Sequence, residues 1–315
     1  MKPIALRQAV PAAAGATEEP LYWRRHQVML GLIAVLAAID IVWLAFFTDL
    51  RIGLAGVALR LGIAAAVGLA AAYYGVSGRS TRLCATLLCV AELMGLEIFA
   101  TVFNYLAIRI GFPLADADFA RWSDVFGLRW LDYNAFVMDR PWLAISLHIL
   151  YLSSVVQILL AVLVLGFTGR LATLLEFVVV LSVTSVVTVI VGAMMPGVGA
   201  HHFYGIPDHG AASFVPAILG SHDGTLLFLD MDKVEGLVVF PSYHTVISLA
   251  LIVAFWPIRI LRYAGLAANA ALIAGVPVWG SHYFIDVVSG FAVWLAAWLL
   301  WRRHAPRLDG IGARG

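Results

Sequence analysis

Three side chains in the last quarter of the sequence have the types and spacing for nucleophilic and acid–base chemistry. His282 and Asp286 are four residues apart in the polar island Gly280-Ser281-His282-Tyr283-Phe284-Ile285-Asp286. On a helix that spacing puts both on one face. A carboxylate one turn from an imidazole can accept its N–H, fix its tautomer and raise its basicity, and the other ring nitrogen is then free to attack or to take a proton. His244 lies in a second island, Phe240-Pro241-Ser242-Tyr243-His244-Thr245. Pro241 suits the first turn of a helix and Ser242 is a capping type. A helix start presents free backbone N–H groups and a positive dipole end, which favours a phosphate. His244 falls within that first turn, placed to protonate a leaving oxygen, with Ser242 and Tyr243 beside it as candidate phosphate contacts.

Two apolar runs, Val246 to Trp256 and Tyr263 to Val278, separate the islands. Read as two consecutive membrane spans, they carry the chain down and back. His282 then returns to the face that His244 left from. A single histidine near a membrane interface is ordinarily a satisfied polar residue. Pro-Ser-x-His opening one span and His-x-x-x-Asp opening another on the same face is a more specific signal.

Pro241-Ser242-Tyr243-His244 and His282-x-x-x-Asp286 resemble the second and third signature motifs of the type 2 phosphatidic acid phosphatase superfamily. The fuller wording, Phe-Pro-Ser-Tyr-His-Thr with Gly-Ser-His-Tyr-Phe-Ile-Asp-Val-Val-Ser-Gly, is most similar to the branch of inositol phosphorylceramide synthases and their bacterial relatives. The motif match covers about fifty residues. The resemblance implies a phosphatase or phosphotransferase acting on a lipid phosphate ester without metal or cofactor. His282 would form a phosphohistidine, Asp286 would orient it and His244 would act as general acid. One departure stands out: the segment Ala274 to Trp279 carries no Arg, and Lys233 alone stands in the loop before the second motif. The transferase-like branch is similar in lacking the full basic set.

The whole chain is suited to a membrane. It is 62% hydrophobic and only 12% charged over 315 residues, about half the charged fraction of a soluble domain. The net charge of +1 gives no sign of nucleic-acid binding. Apolar runs near Val28–Phe47, Ile52–Tyr74, Leu83–Ile110, Trp142–Phe167, Leu171–Met195, Pro241–Trp256, Tyr263–Val278 and Tyr283–Trp301 predict an all-α membrane protein of about eight spans. The last six are expected to form the phosphatase-like bundle. The organisation expected is a cytoplasmic tail (1–27), three N-terminal spans (28–110, the first an uncleaved anchor), an outer interfacial segment (111–141), a catalytic membrane core (142–301) with an outer loop (196–240), and a second tail (302–315). With both ends cytoplasmic, thirteen Lys and Arg lie on that side and six on the other, with Arg60 inside a span. That bias puts His244, His282 and Asp286 on the outer face, the periplasm if the source is a Gram-negative bacterium.

Several polar residues inside or between the spans invite other readings. Asp40 and Arg60 are each ten residues from Leu50 in the first turn, at equal depth about 15 Å from it, which predicts an ion pair. Glu92 and Glu97 lie on different faces of the third span, so they form no paired-carboxylate site; each is a functional candidate or a structural partner for another helix. Asp116, Asp118, Asp124, Asp132 and Asp139 alternate with Phe119, Trp122, Phe126, Trp130 and Phe136, which reads as one or two amphipathic helices in the outer interface, a lid or a bracket for the site. The outer loop holds His201, His202, Asp208, His209, His222, Asp223, Asp230 and Asp232 without a familiar zinc spacing. His201, His202 and Lys233 are the loop residues expected to contact phosphate. Cys84 and Cys89 read as packing residues, so no disulfide and no metal is expected. Transport or lipid binding without catalysis is the alternative function, since intramembrane charges could line a path, but it leaves both histidine islands unexplained.

Overall fold

The computed structural model describes residues 14–125, 127–207 and 214–304. The expectations for Phe126, Asp208, His209 and the outer parts of both tails lie outside the described residues. The chain is a bundle of helices with a single two-residue strand pair among the described residues. Three helices come first: α1 (Ala14–Phe46), α2 (Leu54–Val76) and α3 (Thr81–Ile108). Two short ones follow, α4 (Asp116–Val125) and α5 (Trp130–Met138). The next span is broken into α6 (Pro141–Leu152) and α7 (Ser154–Phe167), bent by 48°. After α8 (Leu171–Met194), a long loop carries α9 (Ala200–Tyr204) and α10 (Val215–His222). The motif helices are α11 (Tyr243–Phe255), α12 (Leu261–Trp279) and α13 (Phe284–His304).

Among the described residues, six helices are long and apolar enough to cross a membrane, and the bent pair α6–α7, taken as one span, makes a seventh. With α11, which has 13 residues and is short for a full crossing, these are the eight runs read from the sequence. Long apolar side chains face outward along the lipid-facing helices, as Val35, Leu59, Leu69, Val155 and Leu300 do. The multi-pass, all-helical membrane fold follows.

The interior divides into two main clusters at opposite ends. Around the site end pack Leu50, Tyr105, Phe119, Trp130, Met231, Val239 and Tyr283. At the other end pack Tyr22, Cys89, Leu165, Leu174, Leu251, Phe255 and Trp294. α1 begins well before the expected first span, and Tyr22 and His26, read as tail, are buried within the bundle.

The loop between α8 and α11 is tied to the N-terminal helices. β1 (Arg51–Ile52), in the α1–α2 turn, pairs in parallel with β2 (Phe228–Leu229) of the loop. Arg109, just past α3, donates to the carbonyl of Leu226 at 2.7 Å and pairs with Asp49. Arg60 donates to the Met231 carbonyl from α2. This corrects the expected Asp40–Arg60 pair: Arg60 bonds Glu97 on α3 at 3.2 Å, and neither buried carboxylate oxygen of Asp40 has a hydrogen-bond partner among the described residues. The reason is packing, because α2 lies along α3 and Arg60 faces that helix. Glu92 likewise bonds His26 of α1, at 2.9 Å.

Candidate active site

α11 starts as its sequence suggests. Ser242 is the N-cap, and its hydroxyl accepts from Thr245 N–H. Pro241 lies outside the first turn, just before the cap, where the sequence reading had placed it inside. His244 is therefore in the first turn. Its ring stacks on Tyr151 with centroids 4.3 Å apart, and its Nδ1 lies 3.2 Å from the Tyr151 hydroxyl. Tyr151 reaches this place from the last turn of α6, immediately before the bend in the span.

α12 ends at Trp279, and α5 closes that end. Trp130 donates from its indole to the Pro277 carbonyl at 3.0 Å, supplying a partner that a helix-end carbonyl lacks, and Tyr133 donates to the Ala274 carbonyl at 2.7 Å. The chain then passes through Gly280, where a Cβ would sit 2.6 Å from the His282 ring, 2.9 Å from the Val276 carbonyl and 3.1 Å from the Tyr151 hydroxyl. Only glycine fits that approach. Asp286 stands in the first turn of α13 and accepts from Tyr283 N–H at 2.7 Å, as the third helical residue does in a capping box.

The His282 ring is thereby fixed. Its Nδ1 lies 2.7 Å from the Val239 carbonyl and 3.3 Å from an Asp286 oxygen. A carbonyl only accepts, so Nδ1 carries the hydrogen and Nε2 keeps its lone pair. The expected His–Asp bond is present, but the main chain provides the closer acceptor. Burial holds the imidazole below its ordinary value of 6.5, at about 4, against the opposing pull of the Val239 bond, so it is neutral at ordinary pH. The His244 and His282 rings lie edge-on to one another with centroids 6.5 Å apart. A phosphate held between an attacking nitrogen and a proton donor, each about 3 Å from the atom it serves, spans a gap of that order.

The remaining sequence candidates are dispersed. Tyr243 donates to the Leu181 carbonyl at 3.0 Å, which turns it toward α8. His201 is buried beside the His282 loop: its backbone N–H donates to the Ser281 hydroxyl at 3.0 Å and its ring meets Trp130 edge-on. His202 is exposed. Lys233 is 83% exposed, 3.6 Å from Asp230, at the end of the 3-10 turn Met231–Lys233 that rests against α2.

Two residues that sequence reasoning passed over hold the site together. Asp116, only 4% exposed, accepts from Val198 and Gly199 N–H at 3.0 Å and from the Tyr283 hydroxyl at 2.9 Å. Gly199 adopts φ +91°, and a Cβ there would meet the Ser281 hydroxyl at 2.7 Å. The loop 196–201 is thus stitched to the His282 turn from both sides. Phe119 stacks on Phe240 at 4.8 Å and also touches Tyr283. These contacts make α4 and α5 a bracket beneath the two islands. Tyr151 is the other residue, and the Ser153-Ser154 pair that interrupts its apolar run was the available signal.

The sequence model of the PAP2 superfamily matches residues 117–300, more than half of the chain and both islands. The chain belongs to the PAP2 superfamily. This family is the type 2 phosphatidic acid phosphatase superfamily that the motifs resemble, and its members are phosphatases and phosphotransferases of phosphate esters. No curated protein and no solved structure matches.

Within this PAP2 site, Tyr151 is expected to act through His244. Tyr151→Phe keeps the stack but removes the hydroxyl at Nδ1. Turnover of a lipid phosphate ester should fall about tenfold, the worth of one hydrogen bond, with KM unchanged. The defect should vanish for an ester whose leaving group needs no proton; an equal loss on both substrates would limit Tyr151 to packing.

Proposed function

We propose that this chain is a membrane enzyme that cleaves or transfers the phosphate, or a phosphate-linked headgroup, of a lipid phosphate ester at the outer face of the membrane. The observation that supports the reading is the bond of His282 Nδ1 to the Val239 carbonyl, which leaves the Nε2 lone pair to attack, with the His244 ring 6.5 Å away. Nε2 attacks phosphorus, and the bond from phosphorus to the leaving oxygen breaks. His244 gives that oxygen its proton. Water or a second alcohol then attacks the phosphohistidine, and its proton returns to His244 as the P–N bond breaks. Asp286 stabilises the positive charge that His282 acquires. The N-terminal end of α11 supplies backbone N–H groups toward the phosphate, in the place of the family's absent arginines.

Transfer to an alcohol, as in the inositol phosphorylceramide synthase-like branch, is supported by the burial of His282, which is 3% exposed; a dry site disfavours water as acceptor. The outer-face placement rests on the thirteen-to-six bias of basic residues, and in a bacterial cell membrane it would turn the site to the periplasm or the exterior.

Purified protein given a panel of lipid phosphates, with and without polyol acceptors, tests the activity. Headgroup exchange is expected, with phosphate release as the minor product. Flux in liposomes with no turnover of any lipid would replace the enzyme reading by transport. For the orientation, cysteines introduced at Lys233 and at Ser77 should label from opposite sides with an impermeant thiol reagent in intact cells, Lys233 from outside. Labelling of the Ser77 position from outside would reverse the assignment.

A further inference from the structure

At the end of the bundle away from the histidines, α1 and α3 bury a second set of reactive side chains. His26, Cys89 and Glu92 are 2%, 0% and 0% exposed. Each offers a ligand atom, and these atoms all lie within 4.8 Å of one another. Cys89 and Glu92 are three residues apart on α3 and so share a face, while His26 comes from α1. Cys89 belongs to the buried cluster that also holds Phe255, the last residue of α11, and Trp294, midway along α13. Both of those helices start at the phosphoryl-transfer site, which puts the cluster well removed from it.

The His26–Glu92 bond accounts for only part of this cluster. His26 Nδ1 lies 2.9 and 3.0 Å from the two Glu92 oxygens. Its Nε2 is buried without a hydrogen-bond partner, and so is the hydroxyl of Tyr22, whose ring lies edge-on to His26 at 4.9 Å. Buried polar atoms are almost always satisfied. Orphaned donors and acceptors, gathered around a thiol, an imidazole and a carboxylate in an apolar interior, describe a site that lacks one component.

We propose that His26, Cys89 and Glu92 bind a divalent cation of the zinc class, with the Tyr22 hydroxyl or a water as the fourth ligand. One imidazole nitrogen, one thiolate and one carboxylate are donors that suit zinc and exclude magnesium and calcium. Ligands of a tetrahedral zinc stand about 3.5 Å apart, so the donors close in by about 1 Å through side-chain rotation. Binding releases the thiol proton of Cys89, the imidazole proton shared with Glu92 passes from Nδ1 to the unpartnered Nε2 of His26, and the cation takes its position between imidazole and carboxylate. The result is a clamp that fixes α1 to α3 at the end of the bundle remote from the reaction. It departs from the sequence reading, which took Cys89 for packing and His26 for tail.

Full-length protein in detergent, stripped with a chelator and titrated with Co²⁺, tests this directly. The expected result is one Co²⁺ per chain, with visible tetrahedral bands and a near-ultraviolet thiolate-to-cobalt band, both bleached by Zn²⁺. Cys89→Ser should remove the thiolate band and weaken binding by at least about 100-fold, while Cys84→Ser leaves both unchanged. Should Cys89→Ser fail to fold, wild-type protein still decides: Zn²⁺ must slow alkylation of Cys89 by a small permeant thiol reagent and leave Cys84 unaffected. Absence of the thiolate band in wild-type protein, or equal alkylation with and without Zn²⁺, overturns the proposal. Neither readout depends on phosphoryl transfer.

Discussion

His282→Ala is expected to form no covalent phosphoenzyme with any substrate and to lose about 10⁴- to 10⁶-fold in turnover, the range seen when a nucleophile or its orienting partner is removed from a triad. His244→Ala should behave differently. It lacks only the proton donor, and general-acid help is worth about 10²- to 10⁴-fold where the leaving oxygen is basic. A nitrophenyl phosphate ester leaves without that help, so it should restore much of the activity of His244→Ala and none of that of His282→Ala. Rapid quench with labelled substrate, followed by alkaline gel analysis, reads the phosphoenzyme in both. Equal losses on activated and unactivated esters would remove His244 as the acid. A fully active His282→Ala would end the covalent mechanism. Asp286→Asn separates charge from tautomer in the same assay. The Val239 carbonyl already holds Nδ1–H at 2.7 Å, so the tautomer survives and only the charge is lost. A fall of about 10²- to 10³-fold is expected; a fall of 10⁴ would show that tautomer control resides in Asp286.

The second large effect should come from a residue that touches no reacting atom. Asp116→Ala leaves the Val198 and Gly199 N–H groups and the Tyr283 hydroxyl without their acceptor. Buried groups stranded in this way cost about 1–3 kcal/mol each, so for three of them a loss of roughly 3–9 kcal/mol is expected, seen as a strongly lowered thermal midpoint in detergent. Activity should fall with it, because loop 196–201 and the His282 turn are joined through this carboxylate. Tyr283→Phe removes one of the three donors and should cost about 1 kcal/mol. A midpoint for Asp116→Ala within a degree of wild type would deny the bracket its role.

Much of this was legible in the sequence, for physical reasons that also explain the rest. The spans show because an apolar run long enough to cross a bilayer has few other uses. The His282–Asp286 pair shows through its four-residue spacing, although the shared helix face it predicted is not how they meet: His282 lies in the turn before α13 and reaches Asp286 from outside the helix. The error over Arg60 was one of hairpin choice. Equal depth was sought across the α1–α2 turn, where it gave Asp40. Across the next turn, Arg60 lies eighteen residues before Gly78 and Glu97 nineteen after, and the same rule returns the observed pair. Asp116 had no such signal, being one acid among five in an amphipathic segment. Its burial depends on aromatic packing from Phe119 and Phe240 that no local spacing encodes. Nor does the sequence announce that a main-chain carbonyl from residue 239 will reach His282.

The moorings of the loop between α8 and α11 have a consequence for how this protein can be divided and how it can change. The family match begins at residue 117, yet the loop inside that region is hydrogen-bonded to Arg51, Gly53, Arg60 and Arg109, all of which precede it. A fragment cut at the family boundary would keep every reacting side chain and lose the supports of the segment that ends at Val239, the acceptor for His282. The first three helices are accordingly part of the smallest unit that should work. A change in the length of the α1–α2 turn would shift β1 against β2, and the loop would need a compensating change to keep its place over the site.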